Sequence, residues 1–451
     1  MNERMSEPSL LAALPARRRS LLLRVHFWAA LIASPFILVA TLTGLVYIFT
    51  PQVEARLYAH LDRVTPAGAM LPLDRSVAAA RMAAPGNLEL RSVAPAFGPG
   101  DAVRVSFEPA RAHAAGAHHH AAPAPQGATP LTVFVNPYDA RVLGAQAPGE
   151  RFSEWARTLH SRLLQGEGWR WMIELAASWL FVMLLTGLVL WWPGRGQPIL
   201  PRRGKKGRAA WRQWHAFGGV ALGILSLVMV ATGITWSRYA GEQVRALRDA
   251  AGQASPQAPR HLHSAPPAGA AGAVLLGWQQ AWMRARELAP PIAMQLTPPQ
   301  GAHGVWRATG IDRTRPTLRF DLMLDAYTGQ TLYRSGWEQQ TAFGKATALG
   351  IPFHRGEFGI WNQVVLFLFG AGVLFSLASG WVMFFKRRGS SRAGRAPLLP
   401  PLLPGAWRAA SPLALAGTAA LCLLMPLLAL SGGVLLAVEW VASMDTRRSA
   451  A

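Results

Sequence analysis

The sequence predicts a polytopic α-helical membrane protein. Its core is four helices from a tandem helix–module–helix repeat, with a fifth helix added at the end and two small α+β modules outside the membrane. Three observations predict this. Apolar residues gather in five runs, each near the ~20 residues a membrane-spanning helix needs. Arginine and lysine gather in the short links between runs. The chain also repeats its own pattern.

Residues 1–20 are read as a tail and 21–50 as helix one. That run is long, and no small-residue cleavage site directly follows it, so it is a helix and not a signal sequence. Residues 51–165 form the first module, interrupted by an Ala/His/Pro-rich insertion at 109–129. Helix two covers 166–193, a basic loop 194–212, helix three 213–238 and the second module 239–355. Helix four covers 356–386, a second basic loop 387–409, helix five 410–440 and a tail 441–451. In each module a helical stretch (RSVAAARMA; AVLLGWQQAWMRAREL) precedes alternating apolar strands. Each closes on a strand–turn–strand, LTVFVNPYDARVLG in the first and LRFDLMLDAYTGQTLY in the second, the usual hairpin pattern.

The net charge of +22 follows this plan. Arg17, Arg18, Arg19 and Arg24 crowd the start of helix one. The first loop carries Arg195, Arg202, Arg203, Lys205, Lys206, Arg208 and Arg212, and the second Arg388, Arg392, Arg395 and Arg408, after Lys386 and Arg387. Positive charge in alternate short loops places the N-terminus and both loops in the cytoplasm. The modules then lie across the membrane, and an odd number of spans sends the C-terminus after them, against Arg447 and Arg448. In a Gram-negative cell this is the inner membrane. The basic loops meet anionic lipid, and no nucleic-acid partner is expected. Cys422, the one cysteine, excludes an intrachain disulfide and multi-thiolate metal sites.

The repeat selects four of the twelve histidines. HFWAALIASPFILVATLTG and HAFGGVALGILSLVMVATG align His26 with His215, each 17 and 18 residues before a Thr-Gly step. His160 precedes Gly187 by 27 residues, and His354 precedes Gly380 by 26. Topology pairs His26 with His215 near one face and His160 with His354 near the other. Two histidines from facing helices suit the axial positions of a b-type haem, and no CxxCH exists for covalent attachment. Two haems b are therefore expected, with His26, His160, His215 and His354 as iron ligands. The Thr-Gly and Ser-Gly steps would let the flat ring approach the backbone. No other catalytic residue is singled out.

RVHFWAALIASPFILVATLTG, NPYDARVLG, DAYTGQTLY, LHSRLLQGEGWRW, WRQWHAFGG and PFHRGEFGIWN together resemble the PepSY-associated transmembrane proteins, over roughly residues 20–386. That family includes ferric-siderophore reductases of the bacterial inner membrane. The resemblance implies PepSY-like periplasmic modules, haem-ligating histidines, and reduction of a ferric siderophore or other ferric chelate so that iron is released. One departure is the first module turn, where NPYDA lacks the glycine of DAYTG.

No GxGxxG after a strand, phosphate-binding loop, Ser/His/Asp set or HExxH occurs, so no flavin or nucleotide domain is evident. Electrons would come from a quinol, a reductase or a soluble reductant. The alternative reading is a membrane-anchored periplasmic binding or regulatory module, acting on a peptidase or sensing the envelope, with no redox activity. A transporter ranks last, because the apolar cores lack charge. His113, His118, His119 and His120 read as a disordered insertion with metal scavenging as the rival, His261 and His263 as linker, and His60 and His303 as surface residues. Of the eighteen tryptophans, Trp169, Trp171, Trp191, Trp192, Trp211, Trp214 and Trp361 sit at helix ends and read as interfacial belts. Arg355 and Glu357, beside His354, read as an anion site or as interface anchors.

Overall fold

A computed structural model describes residues 7–109, 129–192, 200–202, 204–259, 261–266, 274–389 and 399–448, with side chains described between 15 and 387 and between 399 and 441. The insertion residues His113, His118, His119 and His120 lie outside the described residues.

Helix α1 (Glu7–Tyr47) is followed by α2 (Thr50–Leu57) and α3 (Ala59–Asp62), which lead to α4 (Leu73–Ala83). Four strands follow: β1 (Leu88–Ala94), β2 (Val103–Pro109), β3 (Leu131–Val135) and β4 (Val142–Gln146). Helix α5 (Phe152–Arg162) returns to α1, and α6 (Trp171–Trp191) packs along it. The second unit repeats the order: α7 (Gly207–Ala221), α8 (Gly223–Ile234), α9 (Tyr239–Ala250) and α10 (Trp278–Leu288). Then come β5 (Met294–Thr297), β6 (Val305–Gly310), β7 (Phe320–Asp325), β8 (Thr331–Gly336), α11 (Ala342–His354) and α12 (Ile360–Gly389). Helices α13 (Pro412–Leu424) and α14 (Pro426–Arg448) end the chain.

Pro15–Tyr47, Glu167–Trp191 and Ile360–Arg387 are each long and apolar enough to cross a membrane. The pair α7 and α8, which meet at 54°, is apolar enough for a fourth crossing if the two are taken as one span. The sequence predicts one helix there. The bend falls at Leu222, between Gly218-Gly219 and Gly223, where missing side chains weaken the helix. Leu222 packs onto Gly372 of α12, where an added Cβ would stand 2.5 Å from its Cδ1.

The expected fifth span differs more. It is two helices, and both its ends lie at one end of α1. Just before α13, the Ala409 carbonyl accepts from Arg18 Nε at 2.9 Å. Within α14, Glu439 pairs with Arg24 Nε at 2.7 Å and accepts from Trp28 Nε1 at 2.5 Å. Midway, Met425 and Leu428 pack with Ala176, Trp179 and Ala240. The segment is therefore a helical hairpin whose two outer ends, at Ala409 and Glu439, both lie beside the first half of α1. The physical reason is Pro426, which has no N–H for a continuous helix and clashes with the turn before it.

The two extramembrane modules expected from the sequence are joined. All eight strands form one antiparallel sheet in the order β4-β3-β2-β1-β5-β6-β7-β8. The halves meet where Val93 of β1 pairs with Leu296 of β5. Both residues are buried, so separating the halves would expose apolar surface and two strand edges. Helices α4 and α10 share the core with the inward-facing residues of the sheet: Val77 and Ala80 from α4, and Trp278, Ala281 and Ala285 from α10, pack with Val105, Val133, Trp306, Leu322 and Leu324. Asp74 on α4 accepts from the Trp278 and Gln279 N–H groups at 2.9 and 3.1 Å, satisfying the open start of α10. The two closing turns are alike despite the missing glycine. Asn136 Oδ1 accepts from Tyr138 N, as Asp325 Oδ1 does from Tyr327 N. Ala140 takes the left-handed φ of 57° in the first turn, and Gly329 takes 69° in the second.

Candidate functional site

The four histidines selected by the repeat occupy one recurring geometry. His26 lies on α1, and His160 in the last turn of α5. His215 lies on α7, and His354 ends α11. Each imidazole rests on a glycine of another helix: His26 on Gly187, His160 on Gly44, His215 on Gly380 and His354 on Gly233. A Cβ at these glycines would lie 3.2, 3.4, 3.7 and 3.5 Å from the histidine Cε1, in that order. The Thr-Gly and Ser-Gly steps thus seat the histidines. Helix spacing along one chain does not reveal that contact, because it does not show what faces each step.

The residue before each glycine binds the same imidazole. His26 Nδ1 meets Thr186 Oγ1 at 3.0 Å, His160 Nδ1 meets Thr43 Oγ1 at 3.0 Å, and His354 Nδ1 meets Thr232 Oγ1 at 2.8 Å. His215 Nδ1 meets Ser379 Oγ at 2.9 Å and the Ser376 carbonyl at 3.1 Å. Each hydroxyl has a backbone carbonyl of its own helix in reach for its proton: Val182 for Thr186, Val39 for Thr43, Val228 for Thr232 and Ser376 for Ser379. The hydroxyls therefore accept, and Nδ1 carries the imidazole proton. For His215 the carbonyl partner can only accept. Among the described residues no hydrogen bond engages any Nε2. A neutral imidazole held at Nδ1–H presents its Nε2 lone pair to a metal.

The exchange is reciprocal within each repeat unit. α1 sends His26 to α6 and receives His160 from α5. The second unit exchanges His215 and His354 in the same way. The units then close on one another. The rings of His26 and His215 stand 6.4 Å apart at 85°. Two imidazoles on opposite sides of one metal ion, with bonds of about 2 Å, put their ring centres about 6 Å apart. The first pair stands at about that spacing. His160 and His354 are close enough that a charge on one would act on the other. Burial holds His160 below the usual imidazole range. Burial first, and His160 second, push His354 down to about 4. Both are neutral at pH 7, as metal ligation requires.

Beside His354, Arg355 donates to the Tyr47 hydroxyl at 2.8 Å and pairs with Glu357 at 3.0 Å. Arg313 approaches the same carboxylate at 4.0 Å. Burial raises the Glu357 carboxyl despite these cations. Tyr47 and Arg313 were not legible as neighbours, being far away in sequence. Glu174, 1 % exposed, was also missed: it accepts from Tyr239 N and Ala240 N at 2.9 and 2.7 Å and holds the start of α9 against α6. Its one signal was a carboxylate in an apolar run. Of the other histidines, His303 approaches the Ser264 carbonyl at 3.2 Å. Among the described residues no group of three or more His, Cys, Asp or Glu could by itself hold an ion.

These features define a multi-pass membrane protein that carries a sheet domain and two crossed pairs of inward histidines. Residues 23–387 match the family model of the PepSY-associated TM region. The chain belongs to that family. Comparison with curated proteins gives no match.

Proposed function

We propose that the protein is a di-haem b oxidoreductase of the bacterial inner membrane that passes electrons outward to a ferric siderophore or other ferric chelate in the periplasm. The observation that carries this reading is the fourfold seat: imidazole on glycine, Nδ1–H on a hydroxyl, Nε2 uncommitted. An interfacial histidine in a simple anchor has no need of that arrangement, and four copies sorted in two pairs favour a pair of axial ligand sets.

His26 and His215 would hold one haem, and His160 and His354 the other. The haem would supply one-electron chemistry, and the protein would set its potential through the histidines that hold it, their hydrogen bonds and burial. Thr43, Thr186, Thr232 and Ser379 fix the tautomer and ring orientation. The apolar residues around Ala29, Ala33 and Ile37 keep water from the space between the pairs. Loss of charge at iron weakens its hold on hard oxygen ligands, which releases it from the chelate. The orientation rests on the arginines at the start of α1 and on the Arg24–Glu439 pair, which draws the C-terminal arginines to the same side.

A reduced-minus-oxidised spectrum with a pyridine haemochrome count tests the reading. Two b-type haems per chain are expected, falling to one when His26 or His354 is replaced by alanine. Oxidation of the reduced protein by ferric citrate should follow. Protein made with ample haem that binds none would sink the reductase and leave a membrane-anchored binding module.

A further inference from the structure

Beside the His354 end of the bundle lies an open cleft of about 870 Å³. It is lined by Arg170, Arg238, Arg245 and Arg248, against two carboxylates, Glu167 and Glu242. Trp236, Phe343, Thr235 and Thr347 are also in its wall. The volume falls in the range of small-molecule sites, about 300–1,000 Å³.

The four guanidiniums are not equivalent. Arg170 donates to the Trp236 carbonyl at 2.9 Å and approaches Glu167 at 3.2 Å, so it is partly spent. Arg162 also pairs with Glu167 from the other side, which leaves that carboxylate crowded by two cations. Arg248 pairs with Asp249 at 2.7 Å. Arg238 lies over the Tyr239 ring at 5.5 Å, and Arg245 reaches the Thr235 carbonyl at 3.4 Å. Among the described residues neither Arg238 nor Arg245 has a carboxylate within 4.0 Å, although Asp249 feels the charge of Arg245 from farther off. Guanidinium forks with unused donors, on a wall with an exposed indole, recognise planar oxyanions bidentately.

Position adds the second argument. Thr235 and Thr347 line the cleft. Thr235 donates to the carbonyl of Thr232, the residue whose hydroxyl seats His354. Thr347 lies on α11, seven residues before His354, about two turns of the same helix. The cleft therefore touches both elements that hold His354, at the sheet-bearing end of the bundle.

We infer that this cleft binds an oxygen-rich anion, carboxylate- or phosphate-bearing, through Arg238 and Arg245. Under the function proposed above, that ligand is the anionic ferric chelate, held next to the outer histidine pair. The phosphate of an anionic lipid headgroup has the same chemistry and is the other source.

The test is calorimetric titration of the full-length, detergent-solubilised protein with gallium(III) citrate, a chelate that does not accept electrons. A parallel arm uses short-chain phosphatidylglycerol, with phosphatidylcholine as the zwitterionic control. Saturable gallium citrate binding is expected, weakened about tenfold or more in Arg238→Gln and Arg245→Gln, since each removes charge-assisted hydrogen bonds. Arg91→Gln, on the sheet, should leave it within about twofold of the parent by the same arithmetic. Unchanged elution and circular dichroism establish that the variants fold. Phosphatidylglycerol binding with the same arginine dependence, and none of gallium citrate, assigns the cleft to lipid. Binding of neither, or binding indifferent to both arginines, overturns the site. The readout needs no haem. A haem-loaded protein with an empty cleft defeats this inference alone, and a haem-free protein that binds gallium citrate defeats the reductase alone.

Discussion

The His26 imidazole rests on Gly187, with its Cε1 3.2 Å from the place a Cβ would occupy. This is the tightest of the four seats, and the one most sensitive to an added methyl group. Gly187→Ala should shift His26 and reduce haem content at its pair to well under half, with an overpacking cost of about 1–3 kcal/mol. Gly380→Ala, where the contact would be 3.7 Å, should keep most of its haem. Haemochrome counts of the two variants check the order, and equal loss would contradict the seat geometry.

Thr186→Val keeps the shape beside His26 and removes the acceptor for Nδ1–H. A ligand's outer hydrogen bond is worth roughly 10–100-fold in metal affinity. Haem retention under competition by apomyoglobin should fall by about that factor, and Thr186→Ser should restore it.

Acid should destabilise the haem-free protein. His354 has a folded value of about 4, below its ordinary 6.5, so the unfolded chain binds the proton first. Its contribution is fully present above about 6.5 and is lost as pH falls toward about 4. Glu357 is raised and acts with the opposite sign: its contribution is present below the ordinary carboxylate value and is lost as pH rises through the folded one. Melting curves between pH 7.5 and 4.5 should show Tm falling with acid, and His354→Asn should flatten the slope. A slope unchanged in that variant would remove His354 from the account.

Ala140 pays for a conformation that glycine adopts freely. At its φ of 57°, Ala140→Gly should raise stability by about 0.5–1 kcal/mol, the relief of left-handed strain less the added chain entropy. Limited proteolysis or the sheet domain's melting transition reads this out. A loss of stability would mean the turn is held by contacts that alanine supplies.

The hairpin of α13 and α14 predicts the side of the C-terminus. A C-terminal alkaline phosphatase fusion should be inactive and a green fluorescent protein fusion bright, provided the N-terminus is cytoplasmic. The reverse pattern would mean that residues 410–441 cross once. Arg24→Ala should loosen the hairpin by leaving Glu439, 13 % exposed, without its cation.

Several tertiary features left a trace in the sequence. The recurring His and Thr-Gly spacings marked the four seats, and Arg447 and Arg448 dissented from the side expected for the C-terminus. The partners of those seats were not legible. Thr43 lies on the same helix as His26, yet it holds His160, because helical spacing orders residues along an axis and says nothing about the facing surface. The union of the two half-sheets was hidden for a similar reason. Val93 and Leu296 are ordinary buried strand residues, and only the approach of two edges pairs them.

What the sequence determined by itself is therefore what hydrophobicity, charge and repetition encode: a multi-pass membrane chain, its membership of a family, and the four histidines at repeat-matched positions. These are local or periodic properties, set by the cost of burying polar groups in lipid and by the electrostatics of the loops. What only the tertiary structure decided is which helix receives each imidazole, which nitrogen stays open, that the last segment doubles back, and that the extramembrane strands form one sheet. Those depend on close packing between residues more than a hundred positions apart. Contacts of 3 to 4 Å are fixed there by the whole set of neighbours, and by no stretch of sequence alone.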